Sequence, residues 1–375
     1  MGLMLKFFYM CLFRFNYSKN DEKMLPLTVM KIGACIRAFV ATLVTVLLVV
    51  SCSKVERVKE NNEIVMAPFS TQLTKAGLTP LGTDDDDAFG VFAYYADCEG
   101  ETPWNSSNAW GAATEYFEDA AFAHNGVDWA GRDQAYYWPI EGSLMFAGYC
   151  PHVSVAKETV KAVSFNPNEK DINPYLQISF TQEKDALENM VDLLWFDVKD
   201  VADGKTLEKM SKPVSVNFKH ALSKVSFIFT DSMKYYDLDA VALKGVVNEG
   251  VFYSGNTAGW MPNLARETLA DYTLLSTAQT NTLLNGWQSC ELYVIPQYLD
   301  GIFPTIGETL DSGVDVVLAF TVKDDFGSQE IEIPLKEYTE RWEIGKSYQY
   351  TINAAADAID FGVPHVSVLQ QISAM

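Results

Sequence analysis

Four histidines, six cysteines and 49 carboxylates are the residues with which this chain of 375 could bind metal or move protons. Their spacing prescribes little of that chemistry. His124, His152, His220 and His365 each lack a second His, Cys or carboxylate at metal-ligand spacing, and HExxH, GxSxG, CxxC and Gly-rich phosphate loops are absent from the sequence. Asp84–Asp87 is a run of four carboxylates without the spaced ligands and turn glycine of an EF-hand loop, so it reads as a solvated loop before a strand. His220, within FKHALSKV, reads as a packed structural histidine. Nothing fixes a carboxylate pair at the separation that glycoside chemistry needs. The expectation is a protein without catalytic residues, metal or cofactor.

One cysteine is different. Lys31 and Arg37 precede an apolar run, Ala38–Val50, and small Ser51 stands before Cys52. A basic start, a short apolar stretch and a small residue make a secretory signal; the run is short for a membrane span of roughly 20 residues. Leu48-Val49-Val50-Ser51-Cys52 resembles a bacterial lipobox. That resemblance implies cleavage before Cys52 and a diacylglycerol on its thiol. Residues 30–51 are then a lipoprotein signal peptide and 52–62 a polar tether. Residues 1–29 fit no signal plan and read as an upstream extension, with Met30 the better start.

About 320 residues follow the signal, enough for two ordinary domains. The chain is 48% hydrophobic and 13% aromatic, which suits a folded body. Removing the first 51 residues, with six Lys/Arg and two Asp/Glu, takes the formal charge from −21 to −25. Such a field repels nucleic acid. Cys11 and Cys35 lie upstream of the cut. Cys98, Cys150 and Cys290 remain, an odd and widely spaced trio read as packed hydrophobes, with room for one bridge.

The body reads as all-β. Short β-branched or aromatic runs, bounded by Gly, Pro, Asn and Asp, recur: 89–95, 144–149, 175–180, 192–198, 214–218, 224–229, 240–247, 291–295, 314–322, 330–333 and 347–353. Val214, Val216 and Phe218 alternate with Ser215 and Asn217, as a half-buried strand requires. Helix is scarce; 182–190 and 219–223 are each expected to give a turn or two. The polar stretch 203–213 marks a boundary, giving one β-sandwich over 63–208 and another over 209–375. The aromatics of 104–110 and 136–138 either fill the core or stack on sugar rings.

Several segments in order resemble the fimbrillin family, the lipoprotein-derived, Mfa-like type V pilins of Bacteroidia. They are FGVFAYY (89–95), AYYWP (135–139), LMFAGYCP (144–151), DLLW (192–195), VSVNFKHALSKVSF (214–227), YVIPQ (293–297) and WEIGKSYQYTI (342–352). Two departures stand out: Gly148, where an aromatic or Ala is usual, and the tail 365–375. The resemblance implies two tandem transthyretin-like β-sandwich domains in an outer-membrane lipoprotein precursor. It also implies a trypsin-like protease that cuts after a basic residue, and other pilin subunits as partners. A neighbour's strand then replaces the removed one. On this chain the removable strand is 63–75, with Ile64, Met66, Phe69 and Leu73 as apolar anchors, and the cut falls between Lys75 and Ala76. The donor strand is 359–369, with Phe361 and Val363 on one face and, beyond Pro364, Val366 and Val368 on the other. The implied role is a stalk or accessory subunit of a surface fibre supporting adhesion. The other reading keeps 63–75 intact, in a non-polymerising surface lipoprotein that binds glycan or a host ligand.

Overall fold

The computed structural model describes residues 62–67, 87–96, 113–140, 142–166, 174–197, 213–230, 237–255, 258–265, 268–276, 282–283, 287–304, 309–324, 327–355 and 358–369. All of them belong to one compact unit, Glu60–Met375. The expected signal segment, Cys52, the expected tether up to residue 61, Cys98, the aromatics of 104–110 and most of the acidic run lie outside the described residues.

The chain folds as the β pattern demands. The first ten strands are β1 (Met66–Ala67), β2 (Ala88–Ala96), β3 (Thr114–His124), β4 (Trp129–Gly131), β5 (Ser143–Cys150), β6 (Val160–Asn166), β7 (Tyr175–Thr181), β8 (Leu194–Phe196), β9 (Val214–Ser215) and β10 (Lys219–His220). Eight of them form one sheet in the order β10-β8-β5-β2-β3-β4-β1-β9. β9 and β10 stand at opposite ends of that order, yet only residues 216–218 separate them. Val214–His220 is therefore one segment that serves both edges, and the sheet returns on itself, which removes its free edges. The alternation read from the sequence drives this. Val214, Val216 and Phe218 are buried, while Ser215 and Asn217 stay half-buried on the other face. Phe218 meets Phe89 and Phe196 edge-on, with ring centroids 5.6 and 5.0 Å apart.

The remaining strands are β11 (Ser223–Thr230), β12 (Asp237–Val247), β13 (Glu249–Tyr253), β14 (Gly259–Pro262), β15 (Leu269–Leu275), β16 (Thr282–Leu283), β17 (Leu292–Val294), β18 (Ile302–Pro304), β19 (Thr309–Asp311), β20 (Val317–Asp324), β21 (Gly327–Pro334), β22 (Lys346–Ala355), β23 (Ala358–Phe361) and β24 (His365–Val368). A sheet ordered β17-β11-β22-β23, with β24 also on β22, and a sheet ordered β15-β12-β20-β21 enclose a second core around Phe227, Leu243, Phe320 and Tyr350. The sheets do not divide at residue 208. β9 and β10 belong to the first sheet, and the hairpin β13–β14 pairs with β7 in the order β14-β13-β7-β6. That hairpin is held by aromatic contact: Phe252 lies 5.5 Å from Trp195 and Trp260 lies 5.7 Å from Phe180. Trp260 Nε1 also donates to the Ala221 carbonyl at 2.8 Å.

Two helical expectations fare differently. Residues 182–190 give one 3₁₀ turn, Leu187–Asn189, after Glu183 Oε1 accepts the backbone N–H groups of Lys184 and Asp185 at 2.9 and 2.8 Å. Residues 219–223 are not helical; they hold β10 and the first residue of β11, because the sheet's closure claims their backbone.

The unusual Gly148 has a packing cause. Across the β2–β5 pair, Gly148 faces Val91 and Gly90 faces Tyr149. A Cβ on Gly148 would collide with the Gly90 carbonyl and the Phe196 ring, and one on Gly90 with the Tyr149 ring. Phe196 thus occupies the space that a side chain at 148 would need. Gly148→Ala is expected to destabilise the protein by about 1–3 kcal/mol through overpacking. Thermal or urea denaturation checks this; an unchanged midpoint would refute it.

Candidate functional site

The short segment 62–67 is the part of the described chain most exposed to loss, because it is one thin strand between two seams. On one side, Ile64 N–H donates to the Tyr136 carbonyl at 2.7 Å and Trp138 N–H donates to the Asn62 carbonyl at 2.8 Å. Glu63 bridges Tyr137, and Met66 sits opposite Trp129 of β4, both antiparallel. On the other side, β1 runs parallel to β9, with Met66 opposite Val214 and Ala67 opposite Ser215. There Val214 N–H donates to the Val65 carbonyl at 2.8 Å. Ile64 and Met66 are 0% and 1% exposed and enter the first core, while Glu63, Val65 and Ala67 are half-buried.

This arrangement is one of backbone pairing and side-chain packing. It holds an extended segment by main-chain hydrogen bonds on both flanks and by two apolar side chains on one face. Each such side chain contributes about 1.5–3 kcal/mol on burial. Without the segment, two rows of backbone groups lose their partners and two apolar pockets open. Phe69, Leu73, Lys75 and Ala76 lie outside the described residues, as does Cys52. The Tyr136–Trp138 cluster takes the core-side role: Trp138 is 5% exposed and meets Phe146 edge-on at 5.8 Å. Tyr137 is 44% exposed, and its carbonyl accepts from the Tyr116 hydroxyl at 2.6 Å.

At the other end of the chain, β23 and β24 both pair antiparallel with β22. The ladder slips by one residue between them: Phe361 faces Ile352, and His365 faces Gln349. Phe361 and Val363, expected on one face, are separated by this slip; Phe361 is 5% exposed and Val363 78%. The slip falls between Phe361 and His365, a stretch that includes Pro364, which has no N–H to give the ladder. Val366 and Val368 are 45% and 75% exposed.

Three of the four histidines pack or hydrogen-bond within the fold. His220 Nδ1 lies 2.7 Å from Asp192 Oδ2, and both side chains are nearly buried. This pair ties β10 to the residues before β8. His152 Nδ1 lies 3.1 Å from the Ser154 backbone nitrogen, and its Nε2 lies 3.3 Å from the Asp119 carbonyl. The Tyr149 hydroxyl donates to Asp119 Oδ1 at 2.8 Å, so the group fixes the turn after β5 against the positive-φ residue Asp119. His124 packs on Trp129, ring centroids 5.5 Å apart, and His365 is exposed on β24. A cleft of about 660 Å³ gathers Asp87, Glu158, Glu183 and Asp192. Of these, Glu158 meets Lys161 at 3.4 Å, and Glu183 and Asp192 have the partners already named. Among the described residues no three His, Cys, Asp or Glu are grouped to hold a metal ion, and no helix is long and apolar enough to cross a membrane. Burial pushes the Cys150 thiol well above its usual range, and the carboxylates of Asp192 and Asp87 push it further.

A family model described as fimbrillin-like matches residues 74–366. The chain belongs to the fimbrillin-like family. It is a pilus- or adhesion-related subunit of structural type. No curated protein matches it. Among solved structures, it is similar to a fimbrial protein from Bacteroides vulgatus at 14% identity and a TM-score of 0.46, covering 75% of this chain and 93% of that one. A proposed cell adhesion protein from Bacteroides uniformis shares 15% identity and a TM-score of 0.48, over 82% of this chain and 99% of that one. The tip fimbrial protein Mfa3 from Porphyromonas gingivalis, with a C-terminal truncation, shares 10% identity and a TM-score of 0.36, over 77% and 97%.

The segments that resemble fimbrillins meet one another around the site. AYYWP (135–139) supplies one seam for segment 62–67, and VSVNF (214–218) supplies the other. DLLW (192–195) pairs with the lysine and histidine of FKHALSK, where Lys219 Nζ also sits 4.6 Å above the Trp195 ring. The sequence reading missed Trp129 and Tyr136 as partners of the first strand, since antiparallel contacts across more than 60 residues leave no local signal.

Two outcomes follow for this region. Ile64→Ala is expected to cost about 2–5 kcal/mol in the uncut protein, checked by urea denaturation. Cys150 is expected to resist N-ethylmaleimide at pH 8 in the folded protein and to react fully in guanidinium, read by peptide mass spectrometry. Labelling of the folded protein at Cys150 would show the core to be open there.

Proposed function

We propose that this fimbrillin-like chain is a stalk or accessory subunit of a cell-surface type V pilus, assembled by proteolysis-triggered strand exchange and supporting adhesion. The observation that carries the reading is the seating of segment 62–67: a terminal strand, paired on both flanks, whose loss would open a groove with two adjacent apolar pockets. In this reading Cys52 carries lipid and holds the precursor at the outer membrane. A trypsin-like protease cuts between Lys75 and Ala76, and the freed strand leaves with Ile64, Met66, Phe69 and Leu73. A strand from the 359–369 region of a neighbouring pilin subunit then enters by β-strand addition, with backbone bonds giving affinity and alternate side chains filling the pockets. Because the chain is lipidated before the cut, assembly in this reading begins at the membrane surface.

A second reading keeps the strand: a surface lipoprotein that binds glycan or a host ligand and never polymerises. It is favoured by how completely Ile64 and Met66 are buried in the uncut chain.

The N-terminus of protein from sheared surface material distinguishes them. The proposal expects a start at Ala76 in high-molecular-weight ladders. A lipidated Cys52 terminus, recovered only from membranes and never in ladders, would refute it in favour of the retained strand.

A further inference from the structure

Between the first core and the second lies the question of how the two bodies of the chain are joined, and the strands answer it with an exchanged arm. The chain leaves β12 at Val247, forms the hairpin β13–β14, and returns as β15, which pairs with β12. The hairpin itself pairs with β7, from Glu249 opposite Thr181 to Tyr253 opposite Gln177 without a register shift. An arm of the second core's sheet is thus built into the sheet β14-β13-β7-β6. A third core forms around it, in which Tyr149, Phe180 and Trp195 pack with Val247, Phe252 and Tyr293.

At the root of the arm sits a buried amide. Gln182, the residue after β7, is 2% exposed. Its Nε2 donates to the carbonyls of Val191 and Tyr293 at 2.8 and 2.7 Å, and its Oε1 accepts the N–H groups of Val191 and Glu183 at 2.9 and 3.1 Å. Both donors and both acceptor positions of the amide are filled. The Gln182 backbone N–H donates to the Asn248 carbonyl at 2.7 Å, and Asn248 Nδ2 donates back to the Gln182 carbonyl at 3.3 Å. Gln297 Oε1 accepts the Val247 N–H at 3.1 Å. One side chain therefore ties the end of β7, the stretch before β8, and β17 of the second core's sheet. A buried network of this kind stabilises only the arrangement in which every member is paired.

We propose that the hairpin β13–β14 and the Gln182–Asn248 network form a clasp that makes the two bodies one cooperative unit, so that neither core opens while the other stays closed. For a subunit of a surface fibre, load reaching either body is then shared by both. This inference is independent of whether the first strand is cut or exchanged.

The test follows urea unfolding of the full, uncut chain by pulsed hydrogen exchange. Mass spectrometry reads a peptide of β5 for the first core and one of β20 for the second. The two midpoints are expected to coincide. Leu318 is fully buried in the second core, and Leu318→Ala is expected to lower both midpoints together, by about 1 M. Gln182→Ala and Trp260→Ala are expected to pull the midpoints apart by about 0.5 M or more. Midpoints that already differ in the parent, or a Leu318→Ala shift confined to β20, would overturn the clasp; both comparisons use chains with the junction intact, so they hold even where a junction variant does not fold. Midpoints that fall together in both Gln182→Ala and Trp260→Ala would also overturn it.

Discussion

The structure depends on one segment, Val214–His220, lying along both edges of the same sheet. A sheet of eight strands with two open edges would offer two rows of free N–H and C=O groups. Here a single heptapeptide meets β1 at one end and β8 at the other, so the two edges are covered by one piece of chain. The alternation of Val214, Val216 and Phe218 fixes its face, and the His220–Asp192 pair with Lys219 over Trp195 fixes its far end. The next residues, Ala221 and Leu222, are fully buried, and the Ser223 hydroxyl donates to the Glu343 carbonyl at 2.7 Å. The same run of sequence thus closes the first body and starts the second.

Closure is uneven. At the β8 end it is reinforced by the His220–Asp192 hydrogen bond, by a cation over a ring and by the core aromatics Phe196 and Phe218. At the β1 end it rests on two ladder pairs and on Ile64 and Met66. The β1 end is the more thinly held of the two. By comparison, the long outer strand β21 presents Ser328, Gln329, Glu330 and Glu332 to solvent, an edge dressed with polar and charged groups that discourage pairing. The edge strand β24 carries exposed valines instead.

Much of this was legible in the residues. The eleven runs read as strands all hold strand in the structure, because β-branched and aromatic residues at alternate positions have few other uses in a chain with so little helical periodicity. The strands that were missed have reasons. β3 carries Glu115, Glu118 and Asp119, and its pairing with β2 shifts register twice, so its alternation is broken in the sequence too. The hairpin β13–β14 is short and Gly-rich, and joins a distant sheet through Phe252 and Trp260. Its allegiance is a tertiary fact with no local mark. At the site, Ile64 and Met66 were readable as a strand face. The split between Phe361 and Val363 was not, since a one-residue bulge moves a side chain from one face to the other without altering composition.

The pairing of β1 with β9 joins residues 66 and 214, and this separation bears on how the chain matures. A polypeptide made and exported from its N-terminus presents the first strand long before its parallel partner exists. Contacts so distant in sequence carry a loop-closure penalty and form late. The strand that emerges first therefore cannot complete its ladder until Val214 and Ser215 have been made. The seam that processing would open is thus the one whose closure spans the stretch from residue 66 to residue 214.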